Sequence, residues 1–297
     1  MTSINKNFIN LVNLSKFGGQ GPAVFLDTID SVSDMLQEIG YQTKISSNVI
    51  LNDAINILWG VGSVFSPTYD EIAAIATPKN SIIFNMEQLG SESTLVTSEY
   101  LNFISKYIIL DYNQHNLDIL NTINKCEGYE FPIVPSKKFL FDYQYSNSIP
   151  KQYDLAFYGI LNKRREELIR KLTEHGVSIK IIAGKYGADL SNALLDCKFV
   201  LNLHYFESAI FEVARCLRPM AMGMPIISEA SIMPKITDWS QSGILFEDYL
   251  QIPKLVFETI NNVSNVIECN QNNLRFINNL EHKDKSKEII NKIFSRI

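Results

Sequence analysis

With 297 residues, 46% apolar and 20% charged, the chain can bury the cores of two ordinary domains, and its composition excludes a disordered protein. A formal charge of -5, with no Lys/Arg run longer than Lys163-Arg164-Arg165, argues against a general nucleic-acid binder. "MTSINKNFINLVNLSKFGG" has too short an apolar core for a signal peptide, no run reaches a transmembrane span, and Cys126, Cys197, Cys216 and Cys269 form no C-x-x-C pair, so a cytoplasmic protein with reduced thiols is expected.

The first half alternates short apolar runs with helical patterns. "NFINLVN" reads as a strand, and Phe25, Ile29, Val32, Leu36 and Ile39 then mark one face of a helix that stops at Gly40. "INILWGV" is a second buried strand, after which Ser66-Pro67 supplies an N-cap and first-turn proline for "TYDEIAAIA". "SIIFNM" and "KYIILDY" are further strands, with the helical "SEYLNFIS" between them. Residues 141–152, "FDYQYSNSIPKQ", are polar and turn-rich and read as a linker.

The alternation then restarts. "YDLAFYG" is a strand, and "KRREELIRKLTEHG" a helix with Glu166/Arg170 and Glu167/Lys171 at supportive spacing. "SIKIIAG", a short helix, "KFVLNLHY", a longer helix, "PIIS", "SGILFED" and the helical "IPKLVFETINNV" follow, and from about Asn272 the end reads as two amphipathic helices. The expected architecture is α/β: two Rossmann-like doubly wound domains, residues 1–145 and 146–270, facing each other across a cleft, with helices in 271–297 packing back toward the first.

In open parallel sheets, ligands sit beyond the carboxyl ends of the strands. Lys16, Gly18, Gly19 and Gln20 follow the first strand, where the glycines either form a plain turn or let backbone N–H groups approach a phosphate or sugar. "GQGPAV" departs from a dinucleotide fingerprint at Val24, and no G-x4-G-K-[ST] P-loop occurs. Glu87 and Gln88 follow "SIIFNM", Gly159 to Arg165 follow "YDLAFYG", and Tyr186-Gly187 follow "SIKIIAG". The cations at Lys163-Arg164-Arg165 oppose a helix dipole and need a reason, either solvation or a bound diphosphate.

The strand "KFVLNLHY" delivers Asn202 and His204, followed by Glu207 and Ser208. Ser208 is the expected N-cap of the next helix, whose positive end would point at the ligand. Glu212 lies one residue past the capping-box position and stands three residues before Arg215, where it either pairs with that arginine or serves the ligand. No His/Cys/Asp spacing indicates a metal site.

"FYGILNKRREEL", "AGKYG", "VLNLHYFESAIFEVAR", "AMGMPIISEA" and "GILFEDYLQIPKLV", in this order over Tyr153 to Val263, resemble the carboxyl-terminal domain of GT-B glycosyltransferases. The likeness is to small bacterial transferases with a spore-maturation-type (CgeB-like) or group 1 domain, and "SKFGGQG" is similar to the Lys-x-Gly-Gly loop of glycogen and starch synthases. The resemblance implies a metal-independent transfer (EC 2.4, hexosyltransferase-like) of a sugar from a nucleoside diphosphate such as UDP to a glycan, lipid-linked, protein or small-molecule acceptor, with no cofactor beyond the nucleotide-sugar. It implies catalytic roles for Glu207, His204 and Glu87. Donor or diphosphate contacts would come from Lys16, Gly18, Gly19, Gly159, Arg164, Arg165, Tyr186, Asn202, Ser208, Glu212 and Arg215. The family's Glu-x7-Glu pattern is broken, because its second position falls on Arg218, so retention or inversion stays open. A GT-B-fold sugar-nucleotide epimerase or hydrolase, and an inactive transferase-like binding subunit, are the alternatives.

Overall fold

The computed structural model describes residues 5–16, 22–136, 138–139, 149–207, 209–278 and 282–297. The chain divides into two compact units: Met1–Ile133 with Pro234–Thr237 and Glu281–Ile297, and Val134–Met233 with Asp238–Leu280. Each unit is built on one parallel sheet. Its buried strands are apolar runs without alternation, because helices cover both faces.

The first unit's sheet contains β1 (Asn5–Asn13), β2 (Gln42–Ser47), β3 (Ala54–Trp59), β4 (Ser81–Asn85), β5 (Ile108–Asp111) and β6 (Gly128–Glu130). Their spatial order is β2-β1-β3-β4-β5-β6. Helix α1 (Leu26–Glu38) buries Ile29, Val32 and Leu36 as its periodicity requires, and Gly40 after it takes φ +102°. Helix α2 (Tyr69–Ile75) corrects the expected Ser66 cap. Thr68 is the N-cap, its hydroxyl accepting from the Glu71 N–H while the Glu71 carboxylate accepts from the Thr68 N–H. This reciprocal capping box satisfies two donors at once, which a Ser66 cap two residues earlier would not. Helices α3 (Ser98–Ile104) and α4 (Gln114–Ile123) complete the crossovers; α4 and the short strand β6 had no distinct signal in the pattern.

The second unit's sheet contains β7 (Tyr153–Tyr158), β8 (Ile179–Ile182), β9 (Cys197–Asn202), β10 (Ile226–Glu229) and β11 (Ile244–Glu247), in the order β11-β10-β9-β7-β8. Helix α5 (Lys163–Glu174) follows β7, with surface ion pairs Lys163–Glu167 and Arg170–Glu174 rather than the two expected. Helix α6 (Gly187–Leu194) follows β8 and α7 (Val213–Ala221) follows β9. The expected start of that last helix at Ser208 is corrected. Residues before it are extended, with Ile210 bridging Ile232 in parallel and the Phe211 N–H donating to the Ile232 carbonyl, so Glu212 holds the N-cap position. Ser208 itself, like Gly18, Gly19 and most of the 141–152 linker, lies outside the described residues.

Helices α8 (Ile252–Thr259) and α9 (Val263–Asn278) stay with the second unit, where the Asn273 side chain donates to the Met224 carbonyl and accepts from the Gly243 N–H. Helix α10 (His282–Phe294) belongs to the first, where Lys283 pairs with Glu38 and the Tyr41 hydroxyl donates to Asn291. The four cysteines are unpaired thiols and three are buried.

Candidate functional site

A doubly wound sheet has a switch point where successive crossovers leave in opposite directions, and the loops there diverge to leave a crevice. In the second unit β8 lies on one side of β7 and β9 on the other, so the switch point is at the carboxyl ends of β7 and β9. Gly159, Arg164, Arg165, His204, Glu212 and Arg215 converge there. Asn162 caps α5 by accepting from the Arg165 N–H and also donates to the Tyr205 carbonyl at 2.7 Å, tying the two loops together.

The adjacent arginines have different fates. The Arg165 side chain is 0% exposed, so it is not available to a ligand. Its guanidinium donates to the carbonyls of Ile160 (2.7 Å) and Leu203 (2.6 Å), lies within 3.4 Å of both Glu212 oxygens, and sits against the Phe157 and Tyr205 rings. Burial, followed by the like charge of Arg215, pulls its pKa down to about 10, and Glu212 opposes this. Arg164 instead makes a bidentate pair with Glu229 at the end of β10 and lies over the Tyr249 ring, 3.8 Å from its centroid. Glu229 also accepts from the His204 N–H at 3.0 Å. No sequence signal beyond its place after an apolar run marked Glu229, and none marked Tyr249.

Arg215 Nε is 2.7 Å from Glu212, and its Nη1 donates to the Tyr158 carbonyl. Gly159 makes this possible. A Cβ there would come within 2.7–2.9 Å of the Arg215 guanidinium, and its φ of +123° disfavours any other residue. The hydrogen-bonded cluster thus holds three guanidiniums against two carboxylates, Glu212 and Glu229, leaving one positive charge in excess. Arg164 and Arg215 remain about one-fifth exposed. Such an arrangement can receive an anion without leaving its arginines disordered beforehand.

Burial lowers the His204 pKa despite Glu229, so the ring is neutral at neutral pH, and its buried Nε2 has no hydrogen-bond partner among the described residues. Asn202 is buried and donates to Ser228. Glu207 lies exposed beyond the cluster, where its charge reaches Arg164, and Tyr186 is exposed at the N-cap position of α6. Arg218, where the glutamate pattern breaks, is buried beneath the Phe139 ring and donates to Ser191, so it makes a packing contact.

In the first unit, β2 and β3 flank β1, which places the switch point at the ends of β1 and β3. Lys16 is exposed on the loop after β1. Glu87 follows β4, half-buried, and desolvation pushes its carboxyl up to about 7. Behind it Asp111 is fully buried and burial raises its carboxyl to about 8 against three opposing hydrogen bonds.

No protein-family model matches the chain. Two proteins of Acanthamoeba polyphaga mimivirus, uncharacterized proteins L137 and L138, are 29% identical over 233 residues and 27% over 281. These matches take in 75% and 89% of this chain, which spans only 29% and 30% of those relatives. Among solved structures, WaaG, a glycosyltransferase involved in lipopolysaccharide biosynthesis, superposes with a TM-score of 0.56 at 13% identity over 95% of this chain and 99% of its own. An alpha-glucosyltransferase in complex with UDP-glucose and DNA containing an abasic site gives 0.63 at 13% over 97% and 99%. The T4 phage BGT in complex with UDP-glucose gives 0.57 at 14% over 96% and 99%. With every strand pairing parallel in two separate α/β sheets, and with this coverage, the chain has the GT-B fold.

Proposed function

We propose that this chain is a glycosyltransferase that moves a sugar from a nucleoside-diphosphate donor to an acceptor hydroxyl. The observation that carries the reading is the guanidinium cluster at the second unit's switch point, where the fold places ligands and where one positive charge is in excess. Arg215 and Arg164 receive the diphosphate, Arg165 braces the loops beneath them, and Gly159 lets the backbone approach. Guanidiniums rather than a metal ion compensate the leaving charge. Support from kinship is one of fold: two of the structures compared above hold UDP-glucose.

In the reaction the acceptor oxygen bonds to the anomeric carbon, the bond from that carbon to the diphosphate breaks, and its electron pair leaves with the phosphate oxygen. The acceptor proton must go to a base, and Glu87 has the right acidity for that role near neutral pH. Glu207 contributes negative charge as the anomeric centre becomes cationic, and Lys16, exposed after β1, is the first unit's cation near the donor.

A panel of nucleotide-sugars with glycan, lipid-linked and small-molecule acceptors tests this by mass spectrometry of the products. The expected result is an acceptor-dependent glycoside with stoichiometric nucleoside diphosphate. Arg215→Ala should weaken donor binding by roughly 10- to 100-fold, the loss of one or two charged hydrogen bonds. Free sugar without acceptor would make the protein a hydrolase, isomerised donor an epimerase, and binding without any product a non-catalytic subunit.

A further inference from the structure

The turn that carries Glu87 is held by side chains rather than by secondary structure. Asn85 Nδ2 donates to the Glu87 carbonyl (3.0 Å) and to Asp111 (2.6 Å), while its Oδ1 accepts from the Glu87 N–H (3.1 Å) and from the Tyr100 hydroxyl. Asn116, from α4, donates to the same Glu87 carbonyl (3.0 Å) and to both Asp111 oxygens, and its Oδ1 accepts from the Leu89 N–H at 2.9 Å. Asp111 also accepts from the Asn113 N–H. All of Asn85, Tyr100, Asp111 and Asn116 are at most 1% exposed, so each must find partners or cost several kcal/mol. Their partners converge on the Glu87 peptide. The loop after β3 packs onto the same network, for Gly62 lies so close that a Cβ would meet the Tyr100 ring at 2.5 Å.

The Glu87 carboxylate itself makes no hydrogen bond among the described residues. Its main chain is therefore fixed on both sides while its side chain stays half-buried. We infer that Asn116 is a positioning residue of the transfer reaction, holding the Glu87 peptide so that the carboxylate keeps one place and stays half-buried. This rests on Glu87 being the base proposed above. Among the described residues, the titratable groups facing Glu87 are Tyr69 of α2 and Tyr100 of α3; Asp111 of β5 and Tyr112 just after it flank Tyr100, Glu99 lies beyond Tyr69, and Glu130 faces Asp111.

The experiment compares kcat against pH for the wild type, Asn116→Ala and Glu87→Gln, with melting temperature measured alongside. The wild type should show an acid limb near neutrality, since burial raises Glu87 to about 7. In Asn116→Ala the turn loosens and the carboxylate gains water. The limb should then move by about one pH unit toward acid, with kcat at pH 8 down roughly 10-fold and donor KM within twofold. A merely structural Asn116 would lower the melting temperature and leave the limb in place, which overturns the inference. If the alanine variant does not fold, Asn116→Ser, too short to bridge Glu87 and Leu89 together, is read the same way. Glu87→Gln keeps the two readings apart. A fully active Gln variant removes Glu87 from the chemistry, whereas an inactive one beside an unshifted Asn116→Ala profile overturns the positioning role alone.

Discussion

Glu87 carries an energetic cost that can be measured without a substrate. Its carboxyl titrates near 7 in the folded chain and at the ordinary value of about 4.3 in the unfolded chain. Between those values the folded state holds more protons, so stability falls as pH rises through that window, and the cost is fully present above pH 7. Glu87→Gln removes the titration while keeping the shape. Its melting temperature should exceed that of the wild type at pH 8, by a stability difference of at most about 3.5–4 kcal/mol. The two should converge below about pH 4.5, and scans at both pH values check the sign. A Gln variant no more stable than the wild type at pH 8 would place Glu87 in a wetter site. The same logic separates the arginines: Arg165 has spent its donors on carbonyls, whereas Arg164 and Arg215 keep an exposed edge.

Helix α7 shows how an element can satisfy itself around a proline. Pro219 lacks the N–H that would donate to the Arg215 carbonyl, and the Tyr158 hydroxyl from β7 donates to that carbonyl instead. Tyr158→Phe should therefore cost about 1 kcal/mol, and adding Pro219→Ala in the same chain should recover most of it, because the new N–H replaces the phenol. Denaturant unfolding of the four variants in the cycle tests the coupling; additive effects would mean that the two groups do not share the carbonyl. The alternation of apolar runs made both sheets legible, since period and length survive in sequence. Gly159 and the Glu212/Arg215 spacing were legible for the same reason: both are local. The start of α7 was not. The Ile210–Ile232 bridge, which holds the chain out of the helix until Glu212, joins segments 22 positions apart, and no local propensity reports it. Glu229 stands out in sequence only as an acid closing an apolar run, because its partners Arg164 and His204 reach it only through the parallel order of β7, β9 and β10.

Across the whole chain, the residues proposed to meet a diphosphate and the residue proposed to take the proton lie in different compact units. Arg164 and Arg215 are in Val134–Met233, and Glu87 is in Met1–Ile133. A nucleoside diphosphate should accordingly be recognised by the second unit's own residues. Its charge should meet the exposed edges of the preorganised Arg164 and Arg215 guanidiniums, so binding is expected without a divalent cation. UDP at 100 times its dissociation constant would add about 2.7 kcal/mol to the stability of the unit that binds it, raising its melting temperature by several degrees. EDTA should leave that shift unchanged. Hydrogen exchange locates the effect: amides of 159–165, 203–207 and 212–215 should slow, while those of 85–89 and 111–116 should exchange as in the free protein. Protection that required magnesium would transfer the charge compensation from the arginines to a metal, and protection confined to the first unit would place the nucleotide at the β1 and β3 loops.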